Sequence, residues 1–480
     1  MSAQTMSAHY LRASSLTQAS AWLGQYPDAR LLSGGQSLLP ALRLGLSSAS
    51  HLIDLQDLHA LHQIERCEDG LLIGALCTHA QVAGSDLVRE LQPWLSNLAA
   101  HIADPQVREM GTLGGSLANA DPAACWPAAV LATDAVIHTT QRQLPADAFF
   151  KGLFATALKR DELITGVYFP RVEQAAYQKF EQPASRFAHP GVAVVRHRGG
   201  PVRIAVTGLG QGVVRWSVAE QALGLQFAQS ALQNVVLSPT LAEDDLHASA
   251  DYKVHLAHVL CRRIVAELKG EPYIRLGAAH HQQQKKKQAS TAAAPHQANG
   301  LSGECVIEAT PQTLWHLVLD PHVLQMCIPG CEAIHRQSAE RYEAVVQVGI
   351  GLVAARFSTT VDLTPLTVPT DTQGGHMRLT AAGNAGVMGR GRAEITLTLD
   401  PLPDGATRLR WHALPVLEGK LAQIGQRFVF AVARQLSEEF LDKLQTQATG
   451  QPPEHTHVPL IRRWMRWIQN FFSTLKSRRP

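Results

Sequence analysis

Along roughly the first 275 residues, short apolar runs alternate with amphipathic stretches. The apolar runs predict strands over 29–32, 52–55, 70–75 and 163–169. Apolar residues at helical spacing predict helices over 10–24, 87–102 and 256–268, the first capped by Ser15 or Thr17. Strands and helices of this length, mixed in this way, favour an α+β fold.

A different pattern begins at residue 301, where polar and apolar residues alternate. Alternation of this kind predicts half-buried antiparallel strands over 305–307, 342–350, 354–363, 376–382, 393–399 and 407–412. Thr310 followed by Pro311 predicts a helix start, since proline suits the first helical position. An amphipathic pattern over 419–444 predicts a closing helix. A helix held by a strongly curved sheet encloses an apolar cavity, and we expect one here.

Residues 278–300 separate the two patterns and show no hydrophobic period, which predicts a flexible linker. The predicted domains are therefore 1–174 and 175–277 before the linker, then 301–447, then a linker and tail over 448–480. His280 and His281 allow a metal site, and the lysines at 285–287 allow nucleic-acid binding. No basic face accompanies them, so a solvated linker is the better interpretation and we expect no nucleic-acid partner.

The last 22 residues form the clearest amphipathic segment. Apolar and aromatic residues share one helical face: Leu460, Ile461, Trp464, Met465, Trp467, Ile468, Phe471, Phe472 and Leu475. After Glu454 there are six basic residues and no acidic ones. Tryptophan beside arginine suits the boundary between lipid headgroups and acyl chains, so the pattern favours a helix lying on a membrane. Docking on an acidic protein partner is the alternative.

Composition narrows the class of protein. A chain of 480 residues with 45% hydrophobic and 17% charged residues is typical of a globular protein with two or three domains. Residues 1–16 show no apolar core flanked by basic residues, and no uncharged run reaches the roughly 20 residues that span a bilayer. Seven scattered cysteines favour a reducing compartment. We therefore expect a cytoplasmic protein attached peripherally to a membrane.

Two glycine pairs carry the candidate chemistry. We call them the first bend, Ser33-Gly34-Gly35-Gln36-Ser37, and the second bend, Thr112-Leu113-Gly114-Gly115-Ser116. Adjacent glycines permit positive φ and close approach, and successive amides in such a turn form an anion-binding concavity. A single Gly-Gly usually marks an ordinary turn. Two of them, each with a strand-like lead-in and a serine exit, favour a diphosphate site shared by both bends.

The wider segments 31–44 and 102–122 resemble the flavin loops of the FAD-binding medium subunits of molybdenum hydroxylases, above all the aerobic carbon monoxide dehydrogenase type. The resemblance covers about the first 275 residues. It implies the two-part flavin fold of vanillyl-alcohol-oxidase-type (PCMH-type) enzymes, followed by a small α+β C-terminal flavoprotein domain. It also implies that both bends hold the diphosphate of FAD, with Asp121 nearby.

Two further positions have competing interpretations. The resemblance places an apolar residue of the segment 161–164 near the isoalloxazine ring, and Leu163 is the candidate; plain core packing is the alternative. Lys179, between aromatic residues, is either a flavin contact or part of a solvated strand face. Gln36 stands where covalent flavoenzymes carry the tethering histidine after Gly-Gly, so the FAD is expected to be non-covalent.

The second half of the chain resembles a different family. The segments 327–332 and 389–393, within residues 300–447, resemble the CoxG type of carbon monoxide dehydrogenase component, which belongs to the helix-grip (START-like) superfamily. Cys327, Cys331 and His335 suggest zinc, but a structural zinc site has four ligands and no second pair accompanies them, so buried thiols are the better interpretation.

Together the resemblances imply an oxidoreductase subunit that is inactive alone. Molybdopterin would lie on a large partner subunit and 2Fe–2S clusters on a small one, because no cysteine cluster of this chain suits an iron–sulfur centre. The fused domain and tail suggest quinone binding or recruitment to the inner face of the cytoplasmic membrane. A stand-alone FAD-dependent oxidoreductase and a non-catalytic lipid-binding recruitment protein are the alternatives. The substrate (carbon monoxide, a purine or other heterocycle, or an aldehyde) is left open.

Overall fold

The computed structural model describes residues 8–44, 47–183, 185–245, 248–274, 301–350, 353–370, 373–386, 389–403, 405–418 and 426–450. The predicted linker over 278–300 and the predicted tail helix over 459–480 lie outside these residues, as does 419–425 of the predicted closing helix. Mixed short strands and helices make up the first half, and long antiparallel strands make up the second. The α+β class is confirmed in both halves.

A small parallel sheet opens the chain. Its elements are β1 (His9–Arg12), α1 (Leu16–Gln25), β2 (Arg30–Leu32), α2 (Leu38–Leu44) and β3 (His51–Asp54). The strand order is β1-β3-β2, and both pairs are parallel. The predicted helix start at residue 10 is wrong, because residues 9–12 pair with β3 and Ser15 caps a helix that begins at Leu16.

A second, antiparallel sheet carries most of the first core. Its strands have the order β4-β5-β10-β6-β7. In chain order the elements are β4 (Ile64–Cys67), β5 (Gly70–Gly74), α3 (His79–Gly84), α4 (Asp86–Leu91), α5 (Pro93–Ala100), α6 (Pro105–Met110), α7 (Leu113–Asn119), α8 (Trp126–Ala132), β6 (Val136–Thr139), β7 (Gln143–Pro145), α9 (Ala146–Phe149), β8 (Phe150–Gly152), β9 (Ala155–Thr156) and β10 (Ile164–Pro170). The side chains of Leu117, Trp126 and Phe169 are fully buried in this core.

Two elements here differ from prediction. The single helix expected over 87–102 is two helices, α4 and α5, which meet at Gln92. Pro93 takes the first position of α5, and the residue before a proline avoids helical backbone angles. The second bend was expected to follow a strand; instead α6 precedes it and the bend itself becomes the start of α7.

A third sheet begins at residue 174 and is buried on both faces. Its elements are β11 (Gln174–Glu181), β12 (Ala188–Arg196), β13 (Val202–Thr207), β14 (Val214–Arg215), α10 (Ser217–Leu225) and α11 (Ala250–Lys269). Val192 and Val194 face the core that contains α11, while Ala193 and Val195 face the core that contains α8. Apolar residues on both faces explain why β12 reads as a continuous apolar run.

The second half is a seven-stranded antiparallel sheet with the order β15-β21-β20-β19-β18-β17-β16. Its elements are β15 (Leu301–Ile307), α12 (Pro311–Leu317), α13 (Pro321–Cys327), β16 (Cys331–Arg336), β17 (Arg341–Ile350), β18 (Val353–Thr367), β19 (Gly375–Asn384), β20 (Arg390–Pro401), β21 (Thr407–Glu418) and α14 (Gln426–Thr449). Thr310 caps α12 with Pro311 at its first position, as predicted. Leu314, Leu399 and Leu444 share one core, which gives the predicted helix-on-sheet arrangement.

Candidate functional site

The two bends lie directly against each other. The hydroxyls of Ser33 and Thr112 are 2.8 Å apart across them. A Cβ on Gly34 would lie 2.1 Å from the carbonyl oxygen of Met110 and 2.8 Å from the Cα of Gly111, so no larger residue fits without moving the backbone. Glycine at residue 34 therefore permits the close approach of the bends.

Both bends open into one cavity of about 740 Å³. Twelve of the predicted site residues line it: Ser33, Gly34, Gly35, Gln36, Ser37, Thr112, Gly114, Gly115, Ser116, Asp121, Leu163 and Lys179. Leu113 does not; its side chain is fully buried in the core between the sheet and α8. The interpretation of Leu113 as a cofactor contact through its side chain is therefore wrong.

The first bend has the features of an anion cradle. The backbone amides at 33–37 donate to no acceptor among the described residues, so successive N–H groups stay available. Gly35 has φ of +69°, a conformation that favours glycine and turns successive amides toward one point. The carbonyl oxygens of Gly35 and Ser37 accept from Leu39 and Ala41 and join the bend to α2.

The second bend is built differently. The amide of Leu113 donates to the Cys77 carbonyl at 3.0 Å, and the amide of Gly114 donates to the Ala75 carbonyl at 2.8 Å. The amides of Gly115 and Ser116 donate to the Thr112 hydroxyl and carbonyl. All four amides are thus already used within the protein. The expectation that amides of both bends converge on one diphosphate is wrong for the second bend, which instead brings the backbone close to the first.

His79 lies beneath the contact between the bends, and its place in the site was not predicted. Its amide donates to the Gly111 carbonyl at 2.9 Å, and its ring lines the cavity. Trp126 Nε1–H donates to His79 Nδ1 at 3.1 Å, so the ring proton of the neutral form sits on Nε2. Burial, and secondarily the charge of Arg108, lower the pKa of His79 to about 4. The imidazole is therefore neutral at physiological pH.

Residues 156–164 form a further wall of the cavity. Glu162 belongs to this wall, and its buried carboxylate accepts from both Nε and a terminal nitrogen of Arg142, each at 2.9 Å. The hydrogen bond from Arg142 is the main reason why the pKa of Glu162 falls to about 2. Leu163, next in the chain, is 2% exposed and packs against Leu76 and neighbouring leucines.

Lys179 is buried in the third sheet, with 3% of its side chain exposed. Its Nζ donates to the carbonyl oxygens of His101 at 2.7 Å and Arg186 at 2.5 Å, and Glu181 lies 3.6 Å away. A solvated strand face is therefore the wrong interpretation of this lysine. It ties the turn between β11 and β12 to the end of α5 at the edge of the cavity.

These features fit a flavin dinucleotide. The first bend offers unpaired amides for a diphosphate, and the cavity continues from the bends to a wall with leucine and isoleucine side chains. Within the described ranges, no group of three His, Cys, Asp or Glu side chains is placed to hold a metal ion. In the same residues no helix has both the length and the apolarity that a membrane span requires. Burial raises the pKa of the Cys327 and Cys331 thiols.

Comparison with known proteins gives two family matches. Residues 4–172 match the FAD binding domain in molybdopterin dehydrogenase, and residues 303–449 match the CoxG family of carbon monoxide dehydrogenase components. The nicotine 6-hydroxylase medium subunit of Paenarthrobacter nicotinovorans is 33% identical over 280 residues, which are 54% of this chain and 96% of that one. The carbon monoxide dehydrogenase medium chain of Hydrogenophaga pseudoflava is 33% identical over 265 residues, 52% of this chain and 92% of the relative.

Solved structures agree with these relatives. A carbon monoxide dehydrogenase structure from Hydrogenophaga pseudoflava matches with a TM-score of 0.51 and 33% identity, over 55% of this chain and 97% of that chain. One from Oligotropha carboxidovorans matches with a TM-score of 0.52 and 30% identity, over 55% and 99%. The chain therefore belongs to the family of FAD-binding medium subunits of molybdenum hydroxylases, and a CoxG domain follows its flavin domains.

Proposed function

We propose that this chain is the electron-transfer subunit of a molybdenum hydroxylase complex. Electrons would reach its FAD from 2Fe–2S clusters on a small partner subunit, after substrate oxidation at molybdopterin on a large one, and would leave to an acceptor. The observation that carries the proposal is the pair of bends at one cavity, of which the first presents five unpaired amides. When bound, FAD supplies the redox chemistry, and the protein supplies binding and orientation.

In this proposal each part of the cavity has a separate task. The first bend binds the diphosphate through its amides, with the Ser37 hydroxyl as an added donor. Asp121 and Ser116 border the same end, while Leu163 and its wall face the isoalloxazine. Lys179 holds the turn that closes the cavity and places a positive charge beside it. The binding is non-covalent because Gln36 offers no nucleophile for a flavin bond.

The cofactor is tested by purifying the full chain and titrating it with FAD. We expect a stoichiometric flavin spectrum and, without partner subunits, no turnover of carbon monoxide, purine or aldehyde substrates. In the assembled complex, substrate should bleach the flavin band. A chain that stays colourless with FAD in excess overturns the proposal, and a chain that oxidises substrate alone is a stand-alone oxidoreductase.

We further propose that the domain at 301–447 binds a lipid-soluble quinone or recruits the complex to the inner face of the cytoplasmic membrane. A helix packed on a curved seven-stranded sheet supports this, as does the amphipathic pattern of 459–480. Deleting 459–480 should release the protein from anionic vesicles without loss of bound FAD. Changing Arg462, Arg463 and Arg466 to glutamine should weaken binding to anionic vesicles. Unchanged vesicle binding in both variants excludes the tail as a membrane anchor.

A further inference from the structure

A buried ion pair lies in the cavity wall. The Glu162 side chain is fully buried, whereas Arg142 is 38% exposed and reaches it from the turn after β6. Both carboxylate oxygens take part, and each accepts from a different guanidinium nitrogen. A buried carboxylate carries a large desolvation cost unless its oxygens are well satisfied, and this geometry satisfies them. The chain therefore maintains a demanding arrangement at a position where a leucine would pack more simply.

The pair connects two segments that share no regular pairing until β10 begins. Glu162 also accepts from the amide of Lys159 at 2.9 Å and from the hydroxyl of Thr139 at 2.7 Å. Arg142 also donates to the carbonyl oxygen of Ala157 at 2.6 Å. One ion pair thus fixes both ends of the 157–162 segment against the turn at 139–142.

The residue after the pair is held by the same turn. The amide of Leu163 donates to the Thr140 hydroxyl at 3.2 Å, and the amide of Thr140 donates to the Leu163 carbonyl at 2.9 Å. Leu163, Leu158 and Ile164 give this wall an apolar surface toward the cavity. An apolar wall with its amides already bonded suits an aromatic ring and not a diphosphate.

We propose that Glu162 and Arg142 are positioning residues that fix the wall beside the isoalloxazine and thereby set the reduction potential of the bound flavin. They act through the segment 157–163 and not by touching the reacting atoms. The inference rests on the proposed function, in which Leu163 faces the ring. A wall held by several charge-assisted bonds keeps one packing distance to the ring, and that packing and the local polarity determine how well each redox state is stabilised.

The chain contains a matched control pair. Arg215 donates to Glu220 through Nε at 2.6 Å and through a terminal nitrogen at 2.9 Å. Glu220 also accepts from a backbone amide, that of Ile204, at 2.9 Å. Neither residue lines the FAD cavity. Loss of this carboxylate should therefore cost stability in a similar way without reaching the flavin.

The experiment compares Glu162→Gln with Glu220→Gln in the full chain reconstituted with FAD. Unfolding temperature, FAD affinity, the visible flavin spectrum and the midpoint potential are measured for both. We expect both variants to lose thermal stability, and Glu162→Gln alone to shift the flavin absorption bands and the potential. Affinity for ADP, which lacks the ring, should be unchanged in Glu162→Gln.

A wild-type spectrum and potential in Glu162→Gln overturn the inference, since the pair would then be structural in the same way as Arg215–Glu220. Should Glu162→Gln fail to fold, Arg142→Lys takes its place, because lysine keeps the charge but loses the forked pairing. Unchanged flavin properties in Arg142→Lys likewise overturn it. A wild-type chain that binds no FAD removes the proposed function as well, so the two failures are distinguishable.

Discussion

The two glycine bends have nearly the same sequence pattern and opposite hydrogen-bonding. The first leaves its amides at 33–37 without acceptors among the described residues, while the amides at 113–116 of the second are all bonded within the protein. In the first bend the glycines serve a conformation, the positive φ of Gly35. In the second they serve space, because a Cβ on Gly114 would lie 2.7 Å from that of Ala75.

This difference separates binding from shaping. A bend with unpaired amides can exchange water for phosphate oxygens, so its energy appears in cofactor affinity. A bend whose amides are bonded cannot, so its energy appears in the stability of the fold and in the closeness of the two bends. Substitutions at the first bend should therefore change FAD affinity most, and those at the second should change folding and affinity together.

The contact between the bends should be the most sensitive point. Gly34→Ala places a methyl group against the Met110 backbone at 2.1 Å, so we expect a loss of roughly 3 kcal/mol or more of unfolding free energy and of FAD binding. Denaturant unfolding and FAD titration measure the two losses. Gly24→Ala, in α1 with nothing within 4 Å of its Cβ, is the control and should be neutral or stabilising. Retained FAD binding in Gly34→Ala contradicts the close approach.

Acidification should weaken the support of the second bend. The folded pKa of His79, about 4, lies below the unfolded value of 6.5, so the unfolded chain takes up this proton first. The contribution is complete above pH 6.5, and roughly 3 kcal/mol is lost progressively as pH falls to 4. His79→Gln removes this titration, so its stability should depend less steeply on pH between 6.5 and 4. Parallel profiles of the variant and the wild type would show that His79 titrates normally.

The cap of the second bend should matter for both stability and affinity. Thr112→Val removes the hydroxyl that accepts from Gly115 and meets Ser33, so we expect about 1–2 kcal/mol of destabilisation. FAD affinity should fall as well, since the bends then separate. Thr310→Val removes the equivalent cap of α12 in the other half of the chain and should leave FAD affinity unchanged. Equal FAD affinity in both variants would show that the hydroxyl pair does not support the site.

The smallest effect should come from the first bend itself. Gly35→Ala imposes a side chain at φ of +69°, which costs about 1 kcal/mol, and its Cβ meets the movable end of Leu39. FAD affinity should fall about five- to tenfold, the factor that corresponds to about 1–1.4 kcal/mol. Gly270→Ala carries a similar φ of +66° at the end of α11 with nothing within 4 Å, and should not change affinity. A matching loss of affinity there would point to global destabilisation.

Local chemistry made many elements predictable. Ser15, Thr78 and Thr310 cap helices where the sequence predicts helix starts, because a hydroxyl accepting from a backbone amide is a local interaction. The strands of the second half follow alternation of polar and apolar residues, which records one buried face. The prediction over 87–102 was wrong because apolar spacing continued through Pro93 while the backbone did not.

The site residues divide in the same way. Residue type and spacing identified the two bends, since adjacent glycines with flanking serines permit few conformations. Leu113 has no local signal that separates a core leucine from a cavity residue, and its side chain points into the core. His79, Arg142 and Glu162 are far apart from the bends in sequence, and nothing local marks them as cavity or wall residues.

The sequence by itself therefore determined the order of elements, the glycine bends and the division of the chain at the linker, because these depend on neighbouring residues. Only the tertiary structure decided which bend keeps its amides available, which side chains form the wall and which lysine is buried. Those outcomes depend on hydrogen bonds between residues many positions apart, such as Gly114 with Ala75 and Lys179 with His101. Chain folding, and not local propensity, brings such partners together.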